Sequence, residues 1–184
     1  MLVKTFAAAV IGIDAVPITI EVSSSRGTDF TLVGLPDSSV KESRERISSA
    51  LTYSGSQFPR CALVINMAPA DIRKEGAAYD LPLAIGILAS NESVKTAKLS
   101  QYMIMGELSL DGSLQPVRGV LPMALCARKE GYKGMILPAE NAGEAAVVDG
   151  LEVLGMNTIR EVIDFFNDEY APEPALVDVE AEFR

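Results

Sequence analysis

Histidine and tryptophan are absent from this 184-residue sequence, and it has only two cysteines. Without histidine, Ser-His-Asp and Cys-His catalysis are excluded, as are the usual zinc ligand sets. Cys61 and Cys126 lie far apart in apolar surroundings with no CxxC spacing. They read as reduced core thiols rather than a disulfide framework. No glycine is followed by lysine, so the phosphate-cradling GxxxxGK[ST] loop is missing, and so is GxGxxG. ATP hydrolysis by a P-loop is therefore excluded for this chain. No acidic spacing matches an EF-hand or a zincin motif, and no metal site is expected.

Long hydrophobic runs are missing as well. The longest uncharged apolar stretch, Leu81–Ser90, has ten residues, about half of the roughly 20 needed to span a membrane. Met1–Ala15, with Lys4 ahead of the apolar run Phe6–Ile13, imitates a signal peptide. It continues without a break into strand-like sequence, so it is read as part of the fold, and a cytoplasmic location without membrane contact is expected.

With 48% apolar and 22% charged residues, the chain has enough material for one sizeable core. Its net charge of −9 is unevenly placed: Glu161–Glu182 holds eight acidic residues and no basic one. Lys41–Glu75 carries six basic residues, Lys41, Arg44, Arg46, Arg60, Arg73 and Lys74, against four acidic ones. A basic patch there competes with a solvated mixed surface, since a nucleic-acid footprint needs cations clustered on one face. Lys41 and Arg44 also stand near Glu45 and Glu42 at helical spacing, where ion pairs form.

Three β-like runs open the chain: Leu2–Ile13, Pro17–Ser23 and Phe30–Val33, predicting an antiparallel meander. Gly34-Leu35-Pro36-Asp37 then leads into a helix capped by Asp37 or Ser39 and running to about Tyr53. A strand is predicted at Ala62–Met67, and a buried helix from about Asp80 to Ser90 with Pro82 in its first turn. Tyr102–Leu110 and Ser113–Val117 read as a hairpin about Asp111-Gly112, followed by a helix over Val120–Lys129 that Gly131 ends. Strand, helix, strand and helix then alternate over Met135–Leu137, Asn141–Val148, Leu151–Leu154 and Ile159–Phe166. The reading is an α+β chain with a mixed sheet, an α/β-like second half, one domain over residues 1–167 and an acidic linker over 168–184.

Two segments carry a resemblance. Lys74-Glu75-Gly76-Ala77-Ala78-Tyr79-Asp80 and Gly106-Glu107 through Gly112-Ser113-Leu114-Gln115-Pro116-Val117-Arg118-Gly119-Val120-Leu121 resemble the proteolytic domain of Lon proteases. The resemblance implies a Lon-protease-like fold, the superfold shared with the second domain of a ribosomal small-subunit protein. Lon-like proteases pair a serine nucleophile with a lysine base, a dyad that needs no histidine. By position the serine's place falls on Ala78 and the lysine's on Leu121. A methyl group cannot attack a carbonyl and an isobutyl group cannot take a proton, so no catalytic residue is expected.

Gly34-Leu35-Pro36-Asp37, Val40 through Arg46, Asn66 through Gly76 and Arg118 through Pro122 further resemble the amino-terminal, ChlI-type domain of the ComM/YifB family, magnesium-chelatase-related AAA+ ATPases. That resemblance implies a domain preceding an ATPase module that carries the P-loop, ATP and magnesium, with the chain ending where the module should start. It also implies a ring-shaped homo-oligomer associated in some members with DNA branch migration during competence.

The expectation is a non-catalytic interaction and assembly domain whose partners are its own ATPase module, neighbouring subunits and DNA. The residues expected to meet DNA or a partner are Lys41, Arg44, Arg46, Arg73, Lys74 and Arg118. Two alternatives stand beside it: a divergent serine hydrolase using another serine, for instance Ser109 or Ser113, with Arg118 or a lysine nearby, and a peptide or small-ligand site in the groove around Gly76–Asp80.

Overall fold

A computed structural model of the chain describes residues 1–177. Nine strands run in chain order: β1 Leu2–Ile11, β2 Asp14–Ser25, β3 Phe30–Val33, β4 Ala62–Ala68, β5 Tyr102–Ile104, β6 Glu107–Leu108, β7 Leu114–Gln115, β8 Gly134–Pro138 and β9 Glu152–Met156. The α-helices are α1 Ser38–Lys41, α2 Ser43–Tyr53, α3 Asp80–Ser90, α4 Val120–Lys129, α5 Ala142–Ala145 and α6 Ile159–Phe166. Seven strands form one mixed sheet in the order β3-β4-β2-β1-β5-β8-β9, and β6 and β7 make a separate small ribbon.

The apolar segment that imitates a signal peptide is the centre of this sheet. Its side chains alternate between two covered faces, as strand geometry requires. The Thr5 hydroxyl donates to the Pro82 carbonyl in α3 at 2.9 Å, whereas Phe6 stacks on Tyr132 at 5.7 Å, beyond the end of α4. Covered on both faces at its middle, the strand reads there as the unbroken apolar run Ala7-Ala8-Ala9, all buried. Every residue of α3 is buried. Gly86 lets that helix approach, since a Cβ there would stand 2.9 Å from Val22 Cγ2.

The α+β reading and the α/β-like second half hold, with β1, β5, β8 and β9 all parallel. Helices α3, α4 and α6 lie where the sequence places them. The meander does not form: β3 pairs parallel with β4, because β4 already occupies the free edge of β2. The helix expected to run to Tyr53 is two helices meeting at Glu42, with Asp37 as the cap, its carboxylate accepting from the Val40 N–H at 2.8 Å. The long hairpin is also shorter than its pattern. Met105 stays with the main sheet by donating its N–H to Ile136 O, and Gly106 then turns away to donate to Ala78 O at 2.9 Å. The helix expected over Asn141–Val148 is one 3₁₀ turn and the four-residue α5.

Part of the expected linker lies against the domain. Asp168 is 3.0 Å from Lys98 Nζ, and the Ala175 N–H donates to Val153 O on the outer edge of β9 at 2.8 Å. Residues 178–184 of that linker fall outside the described residues. Both cysteines are free. Among the described residues no helix is long and apolar enough to cross a membrane.

Candidate functional site: a groove beside the Lys74–Asp80 loop

The loop from Pro69 to Tyr79 is held by a lysine turned inward. Lys74 is fully buried, and its ammonium donates to the carbonyls of Gly34 at 2.7 Å and Pro69 at 2.5 Å. Burial lowers its pKa, with Asp71 pulling the other way. The backbone of Lys74 pairs with the same stretch: its N–H donates to Leu35 O and its carbonyl accepts from Asp37 N–H. Gly34 has φ +104°, and a Cβ there would collide with the Met67 carbonyl, so the tight crossing needs glycine. Asp37 completes the clamp by accepting the Gly76 N–H at 3.0 Å.

The far end of the loop is held by an internal ion pair. Arg46 Nε and Nη2 reach the two oxygens of Asp80 at 2.7 and 2.9 Å, and Leu108 N–H donates to the same carboxylate at 3.1 Å. Burial pushes the Asp80 carboxyl upward while Arg46 and the Leu108 amide pull it back. The Asp80 bond in turn raises the Arg46 guanidinium. Between the two clamps, Gly76, Ala77 and Ala78 form one wall of an open groove of about 930 Å³. Ala8–Ile11 of β1, Met105, Glu107 and the stretch Pro116–Arg118 line other sides, with Met123 from α4. Val117 is fixed by Asn141, whose side-chain amide bonds both of its backbone groups.

The basic residues singled out from the sequence do not form one surface. Lys74 and Arg46 are corrected from surface contacts to internal cations: the first is wholly buried, and the second is committed to Asp80. Lys41 is exposed on α1, and exposed Arg44 lies over the rings of Phe30 and Phe58 at 5.4 and 5.6 Å. Arg73 and Arg118 line the groove, Arg73 paired with Glu75 at 3.1 Å. Sequence reading missed Asn141 and the Arg46–Asp80 pair. Neither partner spacing has a local signal, since the partners stand 24 and 34 positions apart.

Ala78 faces the groove, but Leu121 does not line it and is 36% exposed in the first turn of α4. The serines considered as alternative nucleophiles sit in the β6–β7 turn. Ser113 Oγ donates to Asp111 at 2.7 Å, and that bond holds the Asp111 carboxyl below its usual range, making it a poor base. Ser109 and Ser113 are joined through Ser109 N–H and Ser113 O. Among the described residues no group of three or more His, Cys, Asp or Glu side chains is gathered to hold a metal. The nucleotide that a P-loop would bind does not fit this chain, which has no Gly-Lys pair.

The mixed α+β sheet and the clamped Lys74–Asp80 loop fit a Lon-protease-like domain. Lon protease 2 of Bacillus subtilis is 29% identical over 130 residues, 69% of this chain and 23% of that protein. A family described as subunit ChlI of Mg-chelatase matches residues 20–141. The uncharacterised protein YifB of Escherichia coli is 41% identical over 166 residues, 90% of this chain and 33% of that protein. Competence protein ComM of Haemophilus influenzae is 39% identical over 165 residues, 89% of this chain and 32% of that protein. The chain belongs to the ComM/YifB family of magnesium-chelatase-like, AAA+-type proteins, as its amino-terminal domain. It spans about a third of the length of these family relatives.

Proposed function

We propose that this domain is a non-catalytic interaction and assembly module of a cytoplasmic, magnesium-chelatase-like AAA+ ATPase that acts in DNA processing. The observation that carries this reading is an alanine and a leucine, Ala78 and Leu121, where the resemblance puts the serine and lysine of a Lon-like scaffold, with Leu121 outside the groove lining. Such a scaffold retains surfaces and loses chemistry. The domain contacts its own ATPase module and the neighbouring subunits of a homo-oligomeric ring, and the module supplies the ATP and magnesium site. The competence relative motivates the DNA assignment, and exposed Lys41 and Arg44, outside the groove, are the cations available for phosphates.

Deleting residues 1–167 from the complete protein tests the assembly role by analytical ultracentrifugation with ATP. Loss of the ring supports the reading, and an unchanged ring removes it. Titrating the complete protein with single-stranded and branched DNA across salt tests the second part. Replacing Lys41 and Arg44 together should reduce the salt slope by about 2, and an unchanged slope removes DNA from this domain. A ligand in the groove is a second reading, favoured by an open volume of about 930 Å³ that the domain's own side chains leave unfilled.

A further inference from the structure

Strand β1 gives its odd-numbered backbone groups to β2. Met1 and Ser24 exchange bonds in both directions, each at 3.0 Å. Alternation along the register then turns the N–H and C=O of Val3, Thr5, Ala7, Ala9 and Ile11 toward β2. Ala8 lies opposite Pro17, which has no N–H to give, as this parity requires. The even-numbered residues therefore offer their backbone to the other side. There Phe6 meets Met103 of β5. But β5 stops at Ile104, and the chain swings away at Gly106 to bond Ala78. Beyond that point the Ala8 N–H faces the Met105 sulfur at 3.5 Å. Among the described residues nothing bonds the Val10 N–H or carbonyl on this side.

The edge opens into the groove at its end, where Val10 and Ile11 are exposed, while Ala8 and Ala9 line it from a buried position. Ile72, Met105, Val117 and Met123 supply apolar contacts along it. Its charge is negative: Asp37, Asp71, Glu75 and Glu107 against Arg73 and Arg118. Asp37 is used by two backbone amides, and Glu75 neutralises Arg73. Asp71 and Glu107 remain against Arg118, with Lys74 acting on Asp71 and Arg46 on Glu107 from behind the lining, which leaves a small excess of negative charge at the groove.

We propose that the groove receives an extended polypeptide segment with alternating basic side chains, added to β1 as a further strand at Val10. Main-chain bonds to the edge give affinity, and Asp71 and Glu107 select the basic side chains. The inference rests on reading the domain as an interaction module. Ring assembly tests that reading separately, so either can fail alone.

The test uses this chain and fluorescence anisotropy with three labelled hexapeptides. One alternates valine and lysine, the second replaces lysine with glutamate, and the third is the lysine peptide with alternate amides N-methylated. The lysine peptide should bind saturably, and the other two at least tenfold more weakly. Val10→Pro removes the N–H facing the groove and none of those given to β2, and should weaken binding about tenfold. Asp71→Lys, at an exposed position that leaves the fold intact, should narrow the lysine-over-glutamate preference at least fivefold. Equal binding of the N-methylated peptide, no saturable binding of any peptide at millimolar concentration, or displacement by a single-stranded oligonucleotide would overturn the proposal.

Discussion

The side-chain amide of Asn141 bonds both backbone groups of Val117: its oxygen accepts the Val117 N–H at 2.9 Å, and its nitrogen donates to the Val117 carbonyl at 3.0 Å. All four groups are buried, so each must find its partner inside the protein. Asn141→Asp replaces the donor with an acceptor facing a carbonyl, and Asn141→Leu leaves both backbone groups unsatisfied. Each substitution should cost about 2–3 kcal/mol, measured by urea unfolding. Because Val117 lines the groove, peptide affinity should fall with either substitution. An Asn141→Leu variant with wild-type stability would show that the pairing is not needed.

Arg46 and Asp80 predict an asymmetric outcome. The carboxylate is 1% exposed and the guanidinium 19% exposed, so removing one partner strands a buried charge. Arg46→Met should cost about 3–5 kcal/mol, whereas the double change Arg46→Met with Asp80→Leu should cost clearly less. Denaturant midpoints of the wild type, both single variants and the double variant give the coupling directly. Additive losses would mean that the pair is two independent contacts.

Local periodicity carried most of the fold into the sequence. Helix α3 is visible because Leu81–Ser90 is apolar on every side, and the structure buries every side. Helix α4 is bounded by Gly119 and Gly131, both at positive φ, and its limits follow from them. What periodicity does not contain is partner choice. Phe30–Val33 looks the same whether it pairs with β2 or β4, and only the long-range competition for the β2 edge decides. The site divides in the same way. Ala78 was legible from a motif, but Lys74 stands in a basic run and gives no sign that its ammonium points inward at two carbonyls.

Alkaline titration should expose the buried tyrosines. Burial, helped by Glu152, pushes Tyr102 up to about 12, and burial with Glu130 does the same to Tyr132. An unfolded tyrosine titrates near 10. The folded state holds these protons more tightly, so the stability they provide is intact below about pH 10 and is lost as the pH rises toward about 12. Tyr102, 2% exposed, should account for on the order of 2 kcal/mol of that loss. Lys74, with its pKa lowered, acts in the opposite sense as the pH approaches the unfolded lysine value. Tyr102→Phe keeps the edge contact to Phe165 at 5.3 Å and should flatten the decline in urea stability between pH 10 and 12. An unchanged slope would assign the loss elsewhere.

Restoring the two dyad residues should not restore a protease. In Ala78→Ser the new hydroxyl would enter the groove, where a nucleophile belongs, but a nucleophile needs a base within hydrogen-bond reach. Leu121→Lys would place its amine at a site 36% exposed to water and outside the groove lining. A lysine there keeps its ordinary pKa near 10.4 and stays protonated at neutral pH, whereas a lysine base needs desolvation to lower that value by several units. The desolvated lysine this domain does possess is Lys74, and both of its acceptors, Gly34 O and Pro69 O, lie within the clamp that holds the loop. The double variant should therefore release no fluorophore from a quenched peptide above the rate of the wild type, and a serine-directed fluorophosphonate should leave Ser at position 78 unlabelled. Stoichiometric labelling would mean that the Lon geometry persists in this groove and that only the two side chains were lost.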